Sequence, residues 1–381
     1  MIHELKAKDV RVATVNILKA HIPLATEGYV VDSEMMWHVL LKAAADNSSI
    51  EAASLDLATV AHGNTLREQL NTCLSVTELR EQEVAQNKVL AATLPRELWG
   101  RAVDVAVDFH DEPFYGKTPE MRHYVCRSKA KAGTTHFWRI ASAYVMWGDL
   151  RFTIGLTYVL PEHTTLDVLQ RLLHYVHQQG IRIKVLYADK GFCQTAIIQW
   201  LQDCQQAAIL ACPIRGKQHG TRALCQGRKS YCTTYTFGDG TCVDVAAVAT
   251  QPPDRHGKRR RKWLLFVLIG LVWPPKKVKK RYRRRFGIES SYRQMRRVRL
   301  FTTGRNPAWR FFALALGLLL VNIWLWLRWH FTRQLRPGPY RVEAKVFRLH
   351  RFIQFLRRAI EDCCQLVMSI PTHLPPRTVI Y

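Results

Sequence analysis

The chain has 381 residues, more than a single hydrophobic core usually contains, so two or three domains are expected. Lysine and arginine outnumber aspartate and glutamate by 56 to 30, which gives a formal net charge of +26 and a pI near 10.0. This charge argues against an ordinary metabolic enzyme and favours a protein that binds DNA or RNA. The first residues lack a secretory signal pattern, so a cytoplasmic location with ten reduced cysteines is expected.

Residues 1–98 carry helical patterns. Helices are predicted over Ser33–Ala45 and over 50–57, and a serine at the start of each can cap it. A Gly-Asn pair then interrupts the pattern before a third helix at 65–71. Two interpretations fit equally well. The domain is either an ordinary helical bundle or a helix-turn-helix whose recognition helix presents Thr65, Arg67 and Asn71 to DNA.

The next predicted element is a strand at 103–109. Its valines alternate on one face, so Asp104 and Asp108 project from the other. Four residues of strand separate the two aspartates by about 13 Å, too far for both to bind one metal ion.

A second strand is predicted to begin at Ile181 and to end at Asp189. Gly191 provides a turn, and a helix follows at 195–204. Residues 99–217 would therefore form a domain that is β-rich first and α/β afterwards.

The sequence pattern changes over residues 218–275, where turns join three predicted strands at 230–237, 241–248 and 262–269. This pattern indicates a β-rich insertion. Its basic loop, 256–262, is either a solvated hairpin tip or a clamp on a DNA backbone, and the overall charge favours the clamp. Four cysteines lie nearby without any C-x-x-C pair, so a zinc site is the less favoured interpretation for them; they are Cys212, Cys225, Cys232 and Cys242.

The most basic stretch of the chain leads into residues 276–335. Between 255 and 299 there are eighteen Lys or Arg and one carboxylate, Glu289. Such a segment would repel itself unless a polyanion neutralised it, which indicates nucleic-acid phosphate. The glutamate is either salt-bridged to a neighbouring arginine or a metal ligand. Glu289 is predicted to lie on one face of a single helix together with four other residues, which recur at intervals of three or four: Tyr282, Arg285, Arg293 and Arg296.

A hydrophobic run follows at 311–327, with Asn322 as its one polar residue. By hydropathy it could span a membrane, although seventeen residues is at the short limit. A buried core helix is favoured, because no other segment of comparable length and hydropathy exists. The tail, 336–381, is basic and is predicted to be partly helical at 346–360; its role is open.

The spacing Tyr282-x-x-Arg285-x-x-x-Glu289-x-x-x-x-x-x-Arg296 resembles the Y-x-x-R-x-x-x-E-x-x-x-x-x-x-K signature of insertion-sequence DDE transposases. Arginine stands here in place of the final lysine, which keeps the charge but changes the geometry of phosphate binding.

Two further segments resemble the same family. The strand, turn and helix around Asp189 are similar to its second-aspartate element, and the sequence after Asp108 is similar to its first-aspartate segment. The second likeness favours Asp108 over Asp104. Three matches in the right order make the resemblance specific.

The resemblance implies an α/β fold: an RNase H-like catalytic core in two parts, 99–217 and 276–335, with the β-rich insertion between them and an N-terminal all-α domain. Asp108, Asp189 and Glu289 would be the catalytic metal ligands, holding two Mg²⁺ ions, with Mn²⁺ as a substitute. A hydrophobic helix after the glutamate helix also fits this family. The side chains expected on DNA phosphates are Tyr282, Arg285, Arg293 and Arg296.

The implied function is a transposase that cleaves the ends of a mobile DNA element and transfers the strands into target DNA. Its expected partners are the terminal inverted repeats, the target DNA and a second copy of the chain, without a membrane. It would be associated with the nucleoid. The alternative is a catalytically inactive DNA-binding protein derived from a transposase.

Overall fold

The fold is described from a computed structural model, for residues 4–24, 30–116, 119–148, 150–216, 220–251, 261–334, 341–343 and 345–369. Most of the basic loop predicted to clamp DNA, 256–260, lies outside these residues.

Five helices form the N-terminal part: α1 (Ala7–His21), α2 (Ser33–Ala45), α3 (Ile50–Leu55), α4 (Gly63–Cys73) and α5 (Leu79–Ala92). The Ser49 hydroxyl caps α3 by accepting a hydrogen bond from the amide of Ala52 at 3.2 Å. For α2 the cap is Asp32, one residue before the predicted serine, because its carboxylate accepts from the Met35 amide at 2.7 Å.

The connection between α3 and α4 spans seven residues, 56–62. A helix-turn-helix uses a turn of about three or four residues, so this geometry departs from that motif. On α4, Arg67 and Asn71 are exposed, and the Asn71 side chain accepts a hydrogen bond from Asn306 at 3.2 Å. The role of Thr65, Arg67 and Asn71 as DNA-reading residues stays a prediction.

The central strands are β1 (Ala102–Pro113), β2 (Cys126–Lys131), β3 (Thr134–Val145), β4 (Thr153–Val159), β5 (Arg182–Ala188) and β6 (Ala208–Cys212). β1 pairs antiparallel with β3, and β3 pairs antiparallel with β2 and β4. On its other side β1 pairs parallel with β5, which pairs parallel with β6. The parallel connections contain α6 (Thr165–Gln178) and α7 (Thr195–Asp203), as crossover geometry requires. The antiparallel strands β4, β3 and β1, followed by the parallel strands β5 and β6, form the RNase H-like arrangement that the resemblance implied, and β2 adds to the edge of β3.

The predicted β-rich insertion extends this same sheet. Its strands are β7 (Tyr231–Thr236), β8 (Cys242–Thr250) and β9 (Lys262–Ile269), and β9 pairs antiparallel with β6. Cys212 is buried in β6, whereas Cys232 and Cys242 are exposed on β7 and β8.

The segment predicted as a single helix has three parts. An α-helix, α8 (Pro275–Tyr282), leads into a 3-10 turn at Arg283–Phe286 and then into α9 (Gly287–Met295). The single-helix prediction was therefore wrong in detail. The cause lies on β3, where the Tyr144 hydroxyl hydrogen-bonds the carbonyls of Arg284 at 2.7 Å and Arg285 at 3.1 Å. A Cβ at Gly287 would lie 2.8 Å from that hydroxyl, so the close approach requires glycine there.

The hydrophobic run lies within α10 (Pro307–Thr332), which packs against α5, α9 and β4. Its length and composition would suit a membrane span, yet 89% of its most apolar 18-residue stretch is buried inside the protein. Asn322 is fully buried; its amide group accepts a hydrogen bond from the Thr153 amide and donates to the Thr153 carbonyl, both at 2.8 Å. This pairing with a sheet strand agrees with the core-helix prediction.

The described part of the tail returns to the N-terminal helices. After two short paired strands, β10 (Arg333–Gln334) and β11 (Arg341–Val342), the helix α11 (Leu349–Cys364) packs against α1 and α2. Its continuation hydrogen-bonds the segment after α3, with the Val367 amide donating to the Asp56 carbonyl at 2.9 Å. The N-terminal helices and α11, distant in the sequence, therefore form the helical domain together.

Candidate active site

Asp108 and Asp189 lie side by side on neighbouring strands. Val107 of β1 is in register with Ala188 of β5, and these strands run parallel, so the next residue of each is an aspartate at the same level of the sheet. The two side chains, called the aspartate pair below, border an open cleft of about 610 Å³.

Asp104 is kept apart from this pair. Its carboxylate lies 3.8 Å from Arg281 and 3.9 Å from Arg284, which neutralise it at the other end of β1. The structure therefore brings Asp108, and not Asp104, next to Asp189.

Arg285 bridges the aspartate pair. One terminal guanidinium nitrogen donates to Asp108 at 2.9 Å, and the other lies 3.7 Å from Asp189. The arginine side chain is 5% exposed, whereas that of Asp189 is 45% exposed. Sequence reasoning expected Arg285 on DNA phosphate; the structure places it against the acids, beneath the surface.

The electrostatics of the pair favour a bound cation. Burial raises the pKa of the Asp108 carboxyl, Arg285 opposes the rise, and the neighbouring Asp189 adds to it. Two carboxylates at this spacing repel each other, so a positive charge between them lowers their energy. In this structure the guanidinium supplies that charge.

Two tyrosines hold the helices against the aspartate strands. The Tyr282 hydroxyl donates to the Ala188 carbonyl at 3.1 Å, and the Tyr292 hydroxyl donates to the carbonyl of Asp108 at 3.1 Å. Tyr292 also hydrogen-bonds Ser142 of β3 at 2.8 Å. Tyr282, expected against the DNA backbone, is 6% exposed, so its hydroxyl serves the protein instead. Sequence reasoning missed Tyr292, although its position three residues after Glu289 puts it on the adjoining helix surface.

His110 lies close to the pair but is held neutral. Its ring stacks on Tyr292 with centroids 4.7 Å apart, and burial, reinforced by Arg296, lowers its pKa to about 4. A neutral, 5% exposed imidazole of this kind is a packing group at physiological pH.

Glu289 is exposed on α9, one helical turn beyond Arg285 and one before Tyr292. No ion pair to Glu289 forms among the described residues, which disfavours the salt-bridge interpretation. Asp108, Asp189 and Glu289 do not form a group of ligand atoms that all lie within 4.8 Å of one another. Arg293 and Arg296, one and two turns further along, are also exposed.

The cleft beside the pair carries polar residues that no motif indicated. Arg139 of β3 makes a bidentate ion pair with Asp111 at 2.6 and 3.1 Å. Arg127 and His163 line the same cleft. These residues come from segments far apart in the sequence, so only the fold brings them together.

The donor set suits a hard divalent cation. The aspartate pair offers carboxylate oxygens, and the Mg²⁺ and Mn²⁺ ions prefer such ligands. The guanidinium between the two carboxylates marks the position where positive charge is stabilised.

Comparisons with known proteins agree with this geometry. The family model described as the transposase DDE domain matches residues 129–323, a range that includes Asp189 and Glu289 but begins after Asp108. Among solved structures, the chain is similar to a piggyBac transposase in a synaptic complex with hairpin DNA, studied by cryo-EM. The TM-score is 0.52 at 11% identity, over 93% of this chain and 77% of that one. At this identity the likeness shows the fold. No curated protein sequence matches the chain.

Members of this family act on DNA and generally use divalent metal ions. The family match spans more than half of the 381 residues, so this chain belongs to the DDE transposases, enzymes that cleave DNA and transfer the cut strands.

Proposed function

We propose that Asp108, Asp189 and Glu289 are the catalytic carboxylates, that they hold two Mg²⁺ ions, and that the substrate is the terminal inverted repeat of the element. The observation that carries this proposal is the placement of Asp108 and Asp189 at the same level of neighbouring parallel strands, in a chain of this family. When bound, the ions would activate water and stabilise the leaving oxygen of the phosphodiester.

The three carboxylates differ in how firmly the protein holds them, and each can serve as a metal ligand. Asp108 is fixed, because its strand is central and its carbonyl is tied to Tyr292. Asp189 follows the end of a strand and is half exposed, so a metal ion held by its carboxylate would be accessible to a substrate phosphate in the cleft. Glu289 is free of ion pairs among the described side chains, so it can turn toward the pair at little cost when a cation arrives.

Arg285 positions the two aspartates. Its guanidinium hydrogen-bonds Asp108, lies 3.7 Å from Asp189 and balances the charge of both carboxylates, a role that a bound divalent cation would take over. A planar guanidinium suits this task because it presents two donors at fixed spacing.

Arg293 and Arg296 bind the phosphates that flank the scissile bond. Both lie exposed on the helix that carries Glu289, so a backbone following that helix would pass the acids and both arginines. Arg127 and Arg139 line the cleft beside the aspartates and would meet the same duplex.

Transposition requires the two element ends to be held together, which favours two copies of the chain in the active complex. The similar piggyBac protein was observed as a synaptic complex with hairpin DNA. A protein that acts on chromosomal DNA in a prokaryote would be found in the cytoplasm on the nucleoid, and we propose that location here.

The experiment is a cleavage assay with labelled DNA carrying the end of the element, identified from the inverted repeats that bracket the gene. Wild-type protein should cut at the repeat boundary with Mg²⁺ or Mn²⁺ and should only bind with Ca²⁺. Cleavage that persists in the presence of a strong chelator would contradict the metal-dependent role. A scrambled repeat of equal length is the control for sequence recognition.

A further inference from the structure

A cluster of nitrogen and sulfur ligands lies far from the aspartate pair in sequence, at the joint between α11 and the N-terminal helices. It consists of His38 on α2 and of Cys363 and Cys364 at the end of α11. One ligand atom of each lies within 4.8 Å of the others. His38 and Cys364 are buried, whereas Cys363 is exposed. This cysteine–histidine cluster has no part in the proposed chemistry.

The distances fit a tetrahedral ion. The sulfur of Cys364 lies 3.5 Å from Nδ1 of His38. Zinc–sulfur bonds of about 2.3 Å and zinc–nitrogen bonds of about 2.0–2.1 Å, at a tetrahedral angle, place the two ligand atoms roughly 3.5 Å apart. The pair is thus already spaced as two ligands of one zinc ion would be.

The surroundings supply an orienting group for the histidine. Glu34 lies one helical turn before His38, with its carboxylate 3.7 Å from Nε2. A carboxylate behind the non-ligating nitrogen is the usual support of a metal-bound histidine.

Arg11 completes the site. Its guanidinium donates to the Cys363 sulfur at 3.0 Å and lies 2.9 Å from Nε2 of His38. If Nδ1 binds a metal, Nε2 carries the proton and turns to Glu34, so Arg11 keeps only its bond to the sulfur. A cation beside a thiolate stabilises the charged form.

We propose that His38, Cys363 and Cys364 bind one thiophilic divalent cation, Zn²⁺ in the cell, which fastens α11 to the helical domain. Each thiol loses its proton to solvent as its metal–sulfur bond forms, so binding releases two protons, and water occupies the fourth position on the exposed side. The ligands select a different metal from the active site, because sulfur and imidazole suit Zn²⁺ whereas carboxylates suit Mg²⁺.

The location gives the ion a structural task. The same joint contains Lys42, 3% exposed, paired with Asp46 on its own helix and with Glu361 of α11 at 3.0 Å. Beyond the cluster, Leu366 pairs with Leu57. A metal ion here would link the last turn of α11 to α2 and hold the two helices together.

Full-length protein stripped of metal and titrated with Co²⁺ provides the test. Wild type should bind one ion per chain with high affinity and show thiolate-to-cobalt charge transfer with the strong visible bands of a tetrahedral site. Zn²⁺, but not Mg²⁺, should remove those bands. A Cys363→Ser/Cys364→Ser variant should lose them, and the matched control Cys232→Ser/Cys242→Ser, which changes two exposed cysteines of the sheet, should keep them.

A second measurement uses only the wild-type protein, in case the double variant fails to fold. Zn²⁺ should slow alkylation of Cys363 at least tenfold while leaving Cys232 unaffected, as followed by peptide mass spectrometry. The proposal is overturned if wild type shows no thiolate bands, if the double variant retains them, or if Zn²⁺ gives Cys363 no protection. None of these outcomes depends on DNA cleavage, so the proposed catalytic function is tested separately.

Discussion

Arg285 and Arg296 belong to the same basic segment, which runs from α8 through the 3-10 turn to α9, yet their environments differ. Arg285 lies in the 3-10 turn, is 4% exposed and contacts the aspartate pair. Arg296, eleven residues later, is exposed at the end of α9. Both belong to one sequence signature and both were expected on DNA phosphate. The difference lies in the tertiary contacts. Tyr144 binds the backbone of the first arginine and the aspartates bind its side chain, whereas the described residues form no ion pair with the second.

The comparison teaches that one basic segment can serve two tasks. The buried side, with Arg285, Tyr282 and Tyr292, fixes the positions of the acids on β1 and β5. The exposed side, with Arg293 and Arg296, is available to a polyanion. Changes on the first side should act on chemistry and stability, and changes on the second side on affinity.

The largest effect is expected at the acids. Asp108→Asn, Asp189→Asn and Glu289→Gln should each lower cleavage of end DNA by more than about a hundredfold, beyond what loss of a supporting residue typically causes. Affinity for that DNA, measured by gel shift with Ca²⁺, should change little. Asp104→Asn is the matched control on the same strand and should cleave nearly as wild type; a dead Asp104→Asn beside an active Asp108→Asn would reverse the assignment.

Arg285→Met should show how the buried side of the segment differs from the exposed side in its effect on stability. Without the guanidinium the aspartates repel, and the free energy of unfolding of metal-free protein should fall by about 2 kcal/mol. That loss is below the 3–5 kcal/mol of a fully buried pair, because Asp189 is half exposed. Mg²⁺ should raise the melting temperature of this variant more than that of wild type. Arg296→Met is the control, and equal losses in both variants would remove the contrast.

The exposed arginines should control the salt dependence of binding. Arg293→Ala and Arg296→Ala should each reduce the slope of log affinity against log salt by about one unit, because each loses one phosphate contact. The measurement is affinity for end DNA across a salt series. Arg285→Met should leave the slope unchanged. If it flattens the slope as Arg296→Ala does, Arg285 reaches DNA after all. Arg296→Lys, which restores the residue of the family signature, should bind as wild type.

The smallest effect concerns pH. Because the pKa of Asp108 is raised in the folded protein, ionisation of this carboxyl lowers the free energy of unfolding. This loss is absent well below the ordinary pKa of 3.8 and reaches its full size above the raised pKa. Asp108→Asn should therefore be slightly more stable than wild type at neutral pH without metal. This advantage should disappear as the pH falls through the raised pKa toward 3.8, as read from urea unfolding at several pH values. A variant less stable than wild type at neutral pH would mean that the pair with Arg285 outweighs burial.

Local pattern was sufficient for much of the fold. The alternation of valines predicted the strand that carries Asp108, and the three strands after 218 are present within two residues of their predicted bounds. Hydropathy predicted α2 with its observed bounds, although Asp32 and not Ser33 caps it. These signals depend on neighbouring residues alone. Helices α1, α5 and α6 were not predicted. The continuation of β7–β9 into the central sheet was not predicted either, because strand pairing between distant segments leaves no local trace.

The sequence by itself identified the family and predicted the residues of the site: a strand aspartate, a strand-end aspartate and a lone glutamate among arginines. It already favoured Asp108 over Asp104. Only the tertiary structure shows Asp108 beside Asp189, turns Arg285 from the surface to the acids, and joins Cys363 and Cys364 to His38. The physical reason is that residue type and spacing define which chemistry a side chain offers. Its burial and its partners come from segments distant in the sequence, about eighty residues or more away in this site, and these set its charge state and its role.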